Sequence, residues 1–412
     1  MDLHTSLQSV MKPFLKEFLS KDPVGGSGKN RPPFTSIIAD GILSVALDVA
    51  EEIGLPVIYF RTTSAGFFWP YFCTPLLTEA GEFPFSFTIL YSERNDMDLP
   101  IAHVKGMEGV LRHRDLTSFY RANDLNSPRF KLLLNENLQT PRAKGLILNT
   151  FEDLERPILS HVRIQCPNLY TIGPLYAHLK TRLQLQLVLE RGRGFDLCEE
   201  DTSCIKWLDN QPPKSVLYVS FGSITIITRE KLLEFWHGIV NSRVRFLWVI
   251  RSDSIRVRLG DDGLETDKQY KYLGKKLINN YSSDRGYRVG YFLAPQEEVL
   301  ARPAIDRFLT HSGWNSTLES MVEGKPMICW PYFGDQHPNS RFVGELWKLG
   351  LDIKDTCDRK IVEKMIKGLM VERKDEFLQR ANEMAKLARK SIEEGGSSFC
   401  NFLRLIDDIV KG

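Results

Sequence analysis

"FTSIIADGILSVALDVAEEIGLPVIYF", residues 34 to 60, decides the fold class. Ile37 and Ile38 open a short apolar run that ends at Asp40. The period then changes, and Leu43, Ala46, Leu47, Ala50 and Ile53 recur at helical spacing. Gly54 and Pro56 close that helix, and Val57 to Phe60 form a second β-prone run. Strand, helix and strand in one short span make a βαβ unit, whose crossover lays the two strands parallel. Parallel strands are buried on both faces, which places the chain in the α/β class.

Outward from that unit, a polar, aromatic-rich region runs from Phe67 to Arg129. "KGLILNTFEDLE" (144–155) and "NLYTIGPL" (168–175) then read as two further strands. From Tyr176 to Thr202 periodicity fades, as in a linker. A second α/β pattern begins at "SVLYVSFGS" (215–223) and continues through the helix "REKLLEFWHGIVNS" (229–242) and the strand "RFLWVIR" (245–251). The charged stretch Ser252 to Arg285 reads as a mobile insertion. "KPMICWPYF" (325–333) is a later strand, and helices are expected over Ile361–Met370, Lys374–Ile392 and Phe399–Val410. The expected architecture is two Rossmann-like domains facing a cleft. Their bounds are 1–175, a linker 176–202, 203–395, and a terminal helix 396–412 packing back on the first domain. At the other end, Leu3, Leu7, Val10, Met11, Phe14, Leu15 and Phe18 keep helical spacing, unlike a signal-peptide core.

Composition narrows the function classes. Apolar residues make up 42% and charged residues 26% of the 412, an ordinary globular balance. A net charge of +2 gives no electrostatic case for nucleic acid or an anionic membrane. Seven scattered cysteines without a CxxC pair fit reduced thiols of a cytoplasmic protein better than disulfides or a zinc site. Apolar runs are interrupted by charges such as Asp40 and Asp48, so no membrane span is expected.

"FLTHSGWNSTLESMVEG" (308–324) carries the chemistry. Phe308 to Thr310 end a strand, His311 to Asn315 make the turn, and a helix follows. In a doubly wound domain ligands sit beyond the carboxyl ends of strands, and a helix N-terminus there attracts anions. Ser316-Thr317-Leu318-Glu319 also matches a capping box, which needs no ligand. A lone His311 would ordinarily be a hydrogen-bonded structural residue.

The wider stretch from Leu293 to Gln336, 44 residues long, resembles the signature box of plant secondary-product UDP-glycosyltransferases. Pro295, Gln296, Leu300, Phe308, His311, Gly313, Asn315, Ser316, Glu319, Gly324, Pro326, Pro331, Asp335 and Gln336 fall in register. The resemblance covers essentially the whole chain and implies a fold of the GT-B type. "RNDMDLPIAHVKGMEGVLRHRDLTSFYR" (94–121) and "VGELWKLGL" (343–351) are most similar to glucosyltransferases of iridoid acids of the 7-deoxyloganetic acid type.

The resemblance implies roles by position. Leu293 and Ala294 would border the uracil; Gln296 and Glu319 would contact the ribose. His311, Gly313, Asn315, Ser316 and Ser223 would hold the diphosphate. Trp314, Asp335 and Gln336 would grip the sugar, with Thr62 reaching it from the other domain. The donor would be UDP-glucose and the acceptor a small apolar molecule such as a terpenoid, an iridoid or a phenolic; no cofactor, no metal and a monomer are expected. The chain departs from the pattern at three places. The family's uracil-stacking Trp aligns with Leu293, with Tyr291 and Phe292 just before it; its His becomes Arg302; its Gly-Gly pair becomes Asp306-Arg307. That last pair, in a buried strand, is expected to destabilise unless both side chains reach solvent.

The mechanism implied is an inverting displacement at the anomeric carbon, with a histidine as base and an aspartate holding it. Asp40 matches the aspartate, although an N-cap for the following helix is the competing reading. The partner histidine has no counterpart, and His4 lies on a helix with no strand before it. On this reading the N-terminal domain is incomplete, the chain is a truncated form of doubtful activity, and the strand Ser36–Ala39 carries an unpaired apolar edge. The aromatic run "GFFWPYF" (66–72) would line an acceptor pocket or simply be core. A catalytically silent UDP-sugar-binding remnant is the alternative. A nicotinamide-dependent dehydrogenase is disfavoured, because no GxGxxG follows any predicted strand.

Overall fold

A computed structural model of the chain describes residues 6–20, 34–84, 96–121, 126–187, 203–223, 225–250, 255–259, 263–265, 288–290, 294–353 and 356–411. His4, Tyr291, Phe292, Leu293 and most of Ser252 to Arg285 lie outside the described residues. The chain divides into two compact units, Met1–His178 with Arg389–Gly412, and Leu179–Ala388.

The first unit is built on four parallel strands in sequence order: β1 (Ile37–Asp40), β2 (Val57–Arg61), β3 (Gly145–Leu148) and β4 (Leu169–Thr171). The opening βαβ unit is present, with the helix Ser44–Ile53 between β1 and β2 and the left-handed Gly54 ending it. Burial differs along the sheet. All four residues of β3 are buried, whereas in β1 only Ala39 is, and Ile38 is 54% exposed. Among the described residues β1 pairs with β2 alone, so it is an edge. The early apolar spacing does form helix, Lys12–Ser20, but its stripe is no core face: Phe14 and Phe18 stand exposed. Lys12 and Lys16 both pair with Glu52 of the β1–β2 helix, and Phe18 packs on Phe34. At the other end of the chain, the helix Ser397–Lys411 sets Leu405 among Ile58, Ile147, Tyr170 and Ile172. Tyr170 donates to Asp408 (2.7 Å) and Asn401 to Thr171 (2.8 Å).

The aromatic run forms the helix Ala65–Phe72, and most of it is core: Phe68 and Tyr71 are buried, and Tyr71 packs on Tyr120 and Phe130. Trp69 and Phe72 border a cavity of about 330 Å³ with Leu138, His161 and Ile164. Ile164 ends the helix Glu152–Gln165, which returns the chain from β3 to the start of β4. That cavity therefore lies at the end of the sheet opposite Asp40.

The second unit introduces β5 (Val216–Ser220), β6 (Ile227–Thr228), β7 (Arg245–Val249), β8 (Ile255–Leu259), β9 (Gly263–Glu265), β10 (Arg288–Gly290), β11 (Ile305–Thr310), β12 (Met327–Cys329) and β13 (Gly350–Asp352). Six of them form one parallel sheet among the described residues, in the order β10-β7-β5-β11-β12-β13. The central strands are fully buried, with Leu217, Val219, Leu309 and Ile328 all at 0% exposure; each such side chain contributes about 1.5–3 kcal/mol. Strand order reverses next to β5, the crevice where doubly wound folds bind ligands.

Two expectations need correction. Asp306 and Arg307 do not reach solvent, yet they are accommodated. The β5–β11 register shifts between Ile305 and Arg307, a bulge that re-aims both side chains. Arg307 donates to Asp306 Oδ1 (2.7 Å) and to the carbonyls of Leu369 (3.2 Å) and Lys374 (2.8 Å), and Lys374 Nζ stands 3.5 Å from Asp306 Oδ2. The guanidinium nitrogens all find acceptors, whereas Asp306 Oδ2 has no hydrogen bond among the described residues and only the Lys374 charge beside it. The stretch read as linker, 176–202, begins inside a helix, Leu175–Leu187. Its Leu, Gln, Lys and Arg content carries helix propensity without the one-sided apolar stripe that sequence reading looks for.

Candidate active site

The site in the second unit grows from two adjacent strand ends. Thr310 of β11 pairs with Ser220 of β5, so the turns that follow, Phe221-Gly222-Ser223 and His311-Ser312-Gly313, lie side by side. Ser312 takes a left-handed φ of 66°, and the helix Trp314–Val322 starts two residues later with Gly313 at its N-cap. The His311 ring is held between glycines. A Cβ at Gly222 or at Gly313 would overlap its Nε2, and Gly222 has φ +74° besides. Burial pulls the His311 pKa down to about 4, so the ring is neutral at pH 7. His311 Nδ1 is buried with no hydrogen-bond partner among the described residues, an omission that costs about 1–3 kcal/mol unless a ligand or water meets it.

Because the helix starts at Trp314, Ser316 is its third residue and cannot cap it. The capping box expected from Ser316 and Glu319 is therefore not formed. Both side chains instead take hydrogen bonds from Gln296 Nε2, at 2.8 Å to Ser316 Oγ and 2.6 Å to Glu319 Oε2. Tyr218 of β5 donates to Gln296 Oε1 at 3.2 Å. Burial raises the Glu319 pKa to about 7, against the opposing hydrogen bond from Gln296.

These groups enclose a cavity of about 300 Å³. Of the residues expected from sequence, Ser223, Ala294, Gln296, His311, Gly313, Trp314, Asn315, Ser316 and Glu319 line it. Tyr218, Ser220, Gly222 and Val249 line it too and were missed. A signal for two of them was available, since Tyr218 and Ser220 share one face of a strand that runs into the turn. The Trp314 indole is 3% exposed and packs near Trp347. Asp335 and Gln336 do not border the cavity. Asp335 accepts from Asn339 Nδ2 (2.9 Å), which also reaches the Ser312 carbonyl (3.0 Å), so they brace the turn from behind. Burial lifts the Asp335 pKa to about 6. Gln336 Oε1 accepts the N–H groups of Tyr332 and Phe333.

In the first unit, Asp40 ends β1 and Thr62 follows β2 as an exposed residue. Asp40 is not a helix cap. Its Oδ1 accepts the Ile42 N–H at 3.1 Å, while the helix start at Ser44 is bound by Glu136, at 2.6 Å to the backbone N–H and 2.7 Å to the hydroxyl. No histidine is hydrogen-bonded to Asp40 among the described residues.

A cavity at adjacent strand ends of a doubly wound α/β sheet, between a helix N-terminus and hydrogen-bonded Gln296, Ser316 and Glu319, has the placement of that class's ligand sites. Residues 199–374 match the family model described as UDP-glucoronosyl and UDP-glucosyl transferase. The chain is 53% identical over 409 residues to 7-deoxyloganetic acid glucosyltransferase of Catharanthus roseus, covering 99% of this chain and 81% of that one. It is 43% identical over 411 residues to myricetin 3-O-rhamnoside 1,2-glucosyltransferase of Crocosmia x crocosmiiflora, covering 99% and 79%. Among solved structures, Os79 of O. sativa in complex with UDP matches with a TM-score of 0.78 and 26% identity, over 99% of this chain and 84% of that one. The chain belongs to the UDP-glucoronosyl and UDP-glucosyl transferase family and has the GT-B type of fold. It is a UDP-glycosyltransferase, whose donor is a nucleotide sugar used as substrate. No helix among the described residues is long and apolar enough to cross a membrane.

Proposed function

We propose that the chain transfers glucose from UDP-glucose, with inversion, to a hydroxyl or carboxyl of a small apolar acceptor. The second unit would hold the donor and the first the acceptor. The cavity at the ends of β5 and β11 carries this reading. Glu319 and Gln296 would take the ribose hydroxyls. The diphosphate would lie at the N-terminus of Trp314–Val322, where the helix dipole and the neutral His311 donor offset the charge of the leaving UDP. Asp335 and Gln336 would position the sugar from behind the turn. The acceptor oxygen would attack the anomeric carbon as the bond to the diphosphate breaks, giving the glucoside, UDP and a proton. The names of the relatives favour an iridoid acid or a glycosylated phenolic as acceptor class. Buried free thiols at Cys73, Cys166, Cys204 and Cys329 suit a reducing, cytoplasmic setting, and we take the working state as a monomer.

A second reading is UDP-sugar binding without transfer. The observation favouring it is that among the described residues the Asp40 side chain bonds only its own turn and no histidine; loss of a general base costs about 10²–10⁴ in rate. One experiment separates the two: purified chain, UDP-glucose and a panel of small hydroxyl and carboxyl acceptors, with mass spectrometry for hexosylated product and calorimetry for UDP. Product supports the first reading. UDP binding without product supports the second, and absence of both overturns the donor site itself.

A further inference from the structure

We propose that Tyr218 is a positioning residue for the nucleotide's ribose, acting through Gln296 to select ligands that carry a vicinal diol. The inference rests on the donor-site reading of the cavity and deepens it. The two ends of a glutamine amide are nearly the same shape, so its hydrogen-bond partners decide which way it faces. Glu319 Oε2, 2.6 Å away, accepts, and so requires Nε2 on its side; the same nitrogen reaches Ser316 Oγ at 2.8 Å. Oε1 is then left facing β5, where the Tyr218 hydroxyl supplies the donor at 3.2 Å.

Tyr218 is built to hold that proton in place. Its ring is 1% exposed and stacks on Phe308, with centroids 4.8 Å apart and planes at 19°. Burial pushes its pKa well up, so the hydroxyl keeps its proton at physiological pH. The chain of donors therefore runs one way, from Tyr218 to Gln296 to Glu319. Its consequence is at the carboxylate, which is held with acceptor capacity facing the cavity. A ribose offers two adjacent O–H donors to such a group. Without the Tyr218 hydroxyl, Oε1 loses its donor, and the amide, held only through Nε2 by Ser316 and Glu319, places the carboxylate less firmly for a diol.

The test is calorimetric binding of UDP and of 2′,3′-dideoxy-UDP to the wild type, Tyr218→Phe, Gln296→Met and the double variant, each checked for folding by thermal unfolding. The wild type should prefer UDP. Tyr218→Phe should weaken UDP roughly five- to tenfold and leave dideoxy-UDP unchanged, collapsing the preference. In the Gln296→Met background the tyrosine change should have no further effect, the signature of two residues acting as one. Equal weakening of both ligands, or a preference that survives Tyr218→Phe, overturns the inference while the donor site stands. Should Tyr218→Phe fail to fold, Gln296→Met alone decides: a preference retained there overturns the inference. A wild type that binds neither ligand, or does not distinguish them, overturns the donor-site reading and this inference together.

Discussion

His311 and Asp40 hold the same topological position, the carboxyl end of a parallel strand, yet their surroundings differ in kind. β11 has a strand on either side, and the turn that follows is gripped by Gly222, Gly313, Asn339 and Asp335. Among the described residues β1 is paired on one side only, and the Asp40 side chain makes one hydrogen bond, from the Ile42 N–H. An interior strand end is fixed by neighbours before any ligand arrives, whereas an edge strand end is fixed only by its own turn. Precision in the donor half therefore comes from the sheet, and it should fail where the sheet's interior is disturbed.

The largest effect is expected at the base of β11. Arg307→Leu alone leaves Asp306 buried beside a lost partner and should destabilise the second unit by about 3–5 kcal/mol. Asp306→Val combined with Arg307→Leu should recover much of that loss, because a buried pair replaced by apolar residues of similar volume is often neutral. Urea unfolding followed by the fluorescence of Trp248 and Trp330 reads both. A double variant no better than the single would mean that the carbonyl contacts at Leu369 and Lys374, and not the charge pair, hold the bulge.

Next comes the contrast between two left-handed glycines. Gly54→Ala in the first unit meets nothing within 4 Å, so it should cost only backbone strain, about 1 kcal/mol of stability. Gly222→Ala has a similar φ but drives its Cβ into His311. It should weaken UDP binding by roughly tenfold or more, a displacement worth at least 1.4 kcal/mol. Equal UDP affinity in Gly222→Ala and wild type would break the argument that the glycines set the imidazole.

Protonation sharpens the donor half further. With the Glu319 pKa near 7 in the free protein, a ligand that needs the carboxylate must drive off its proton below that pH. Uridine, which has no phosphate to titrate, should therefore bind about tenfold more weakly at pH 6 than at pH 8. Glu319→Gln should abolish the slope. A slope that persists in the variant would assign it to another group, with Asp335 the next candidate because burial lifts it to about 6.

The sequence was readable where a few adjacent residues decide the outcome. The βαβ unit at 34–60 and the turn at His311 follow from local period and from the position of turns. What could not be read depended on partners far along the chain. Arg307 is satisfied by carbonyls more than 60 residues away. The apparent capping box fails because the preceding strand and Gly313 set the helix start two residues early. Tyr218 was passed over as one more apolar strand position, since nothing near it announces Gln296.

The smallest effect is expected at the edge itself, and it tests the other side of the comparison. Ile38 is 54% exposed on β1, so Ile38→Lys removes little buried area and should change the stability of the first unit by no more than about 0.5 kcal/mol. It also places a charge on an open strand, the device by which natural sheets discourage edge-to-edge pairing. Light scattering should then show less self-association at high concentration, with Phe14 and Phe18 left unchanged as internal reference for the exposed apolar helix nearby. The matching change in the interior, Leu309→Lys at 0% exposure, should abolish folding of the second unit. If Ile38→Lys proved as damaging as Leu309→Lys, β1 would have to be covered in solution, and Asp40 would sit at an interior strand end after all.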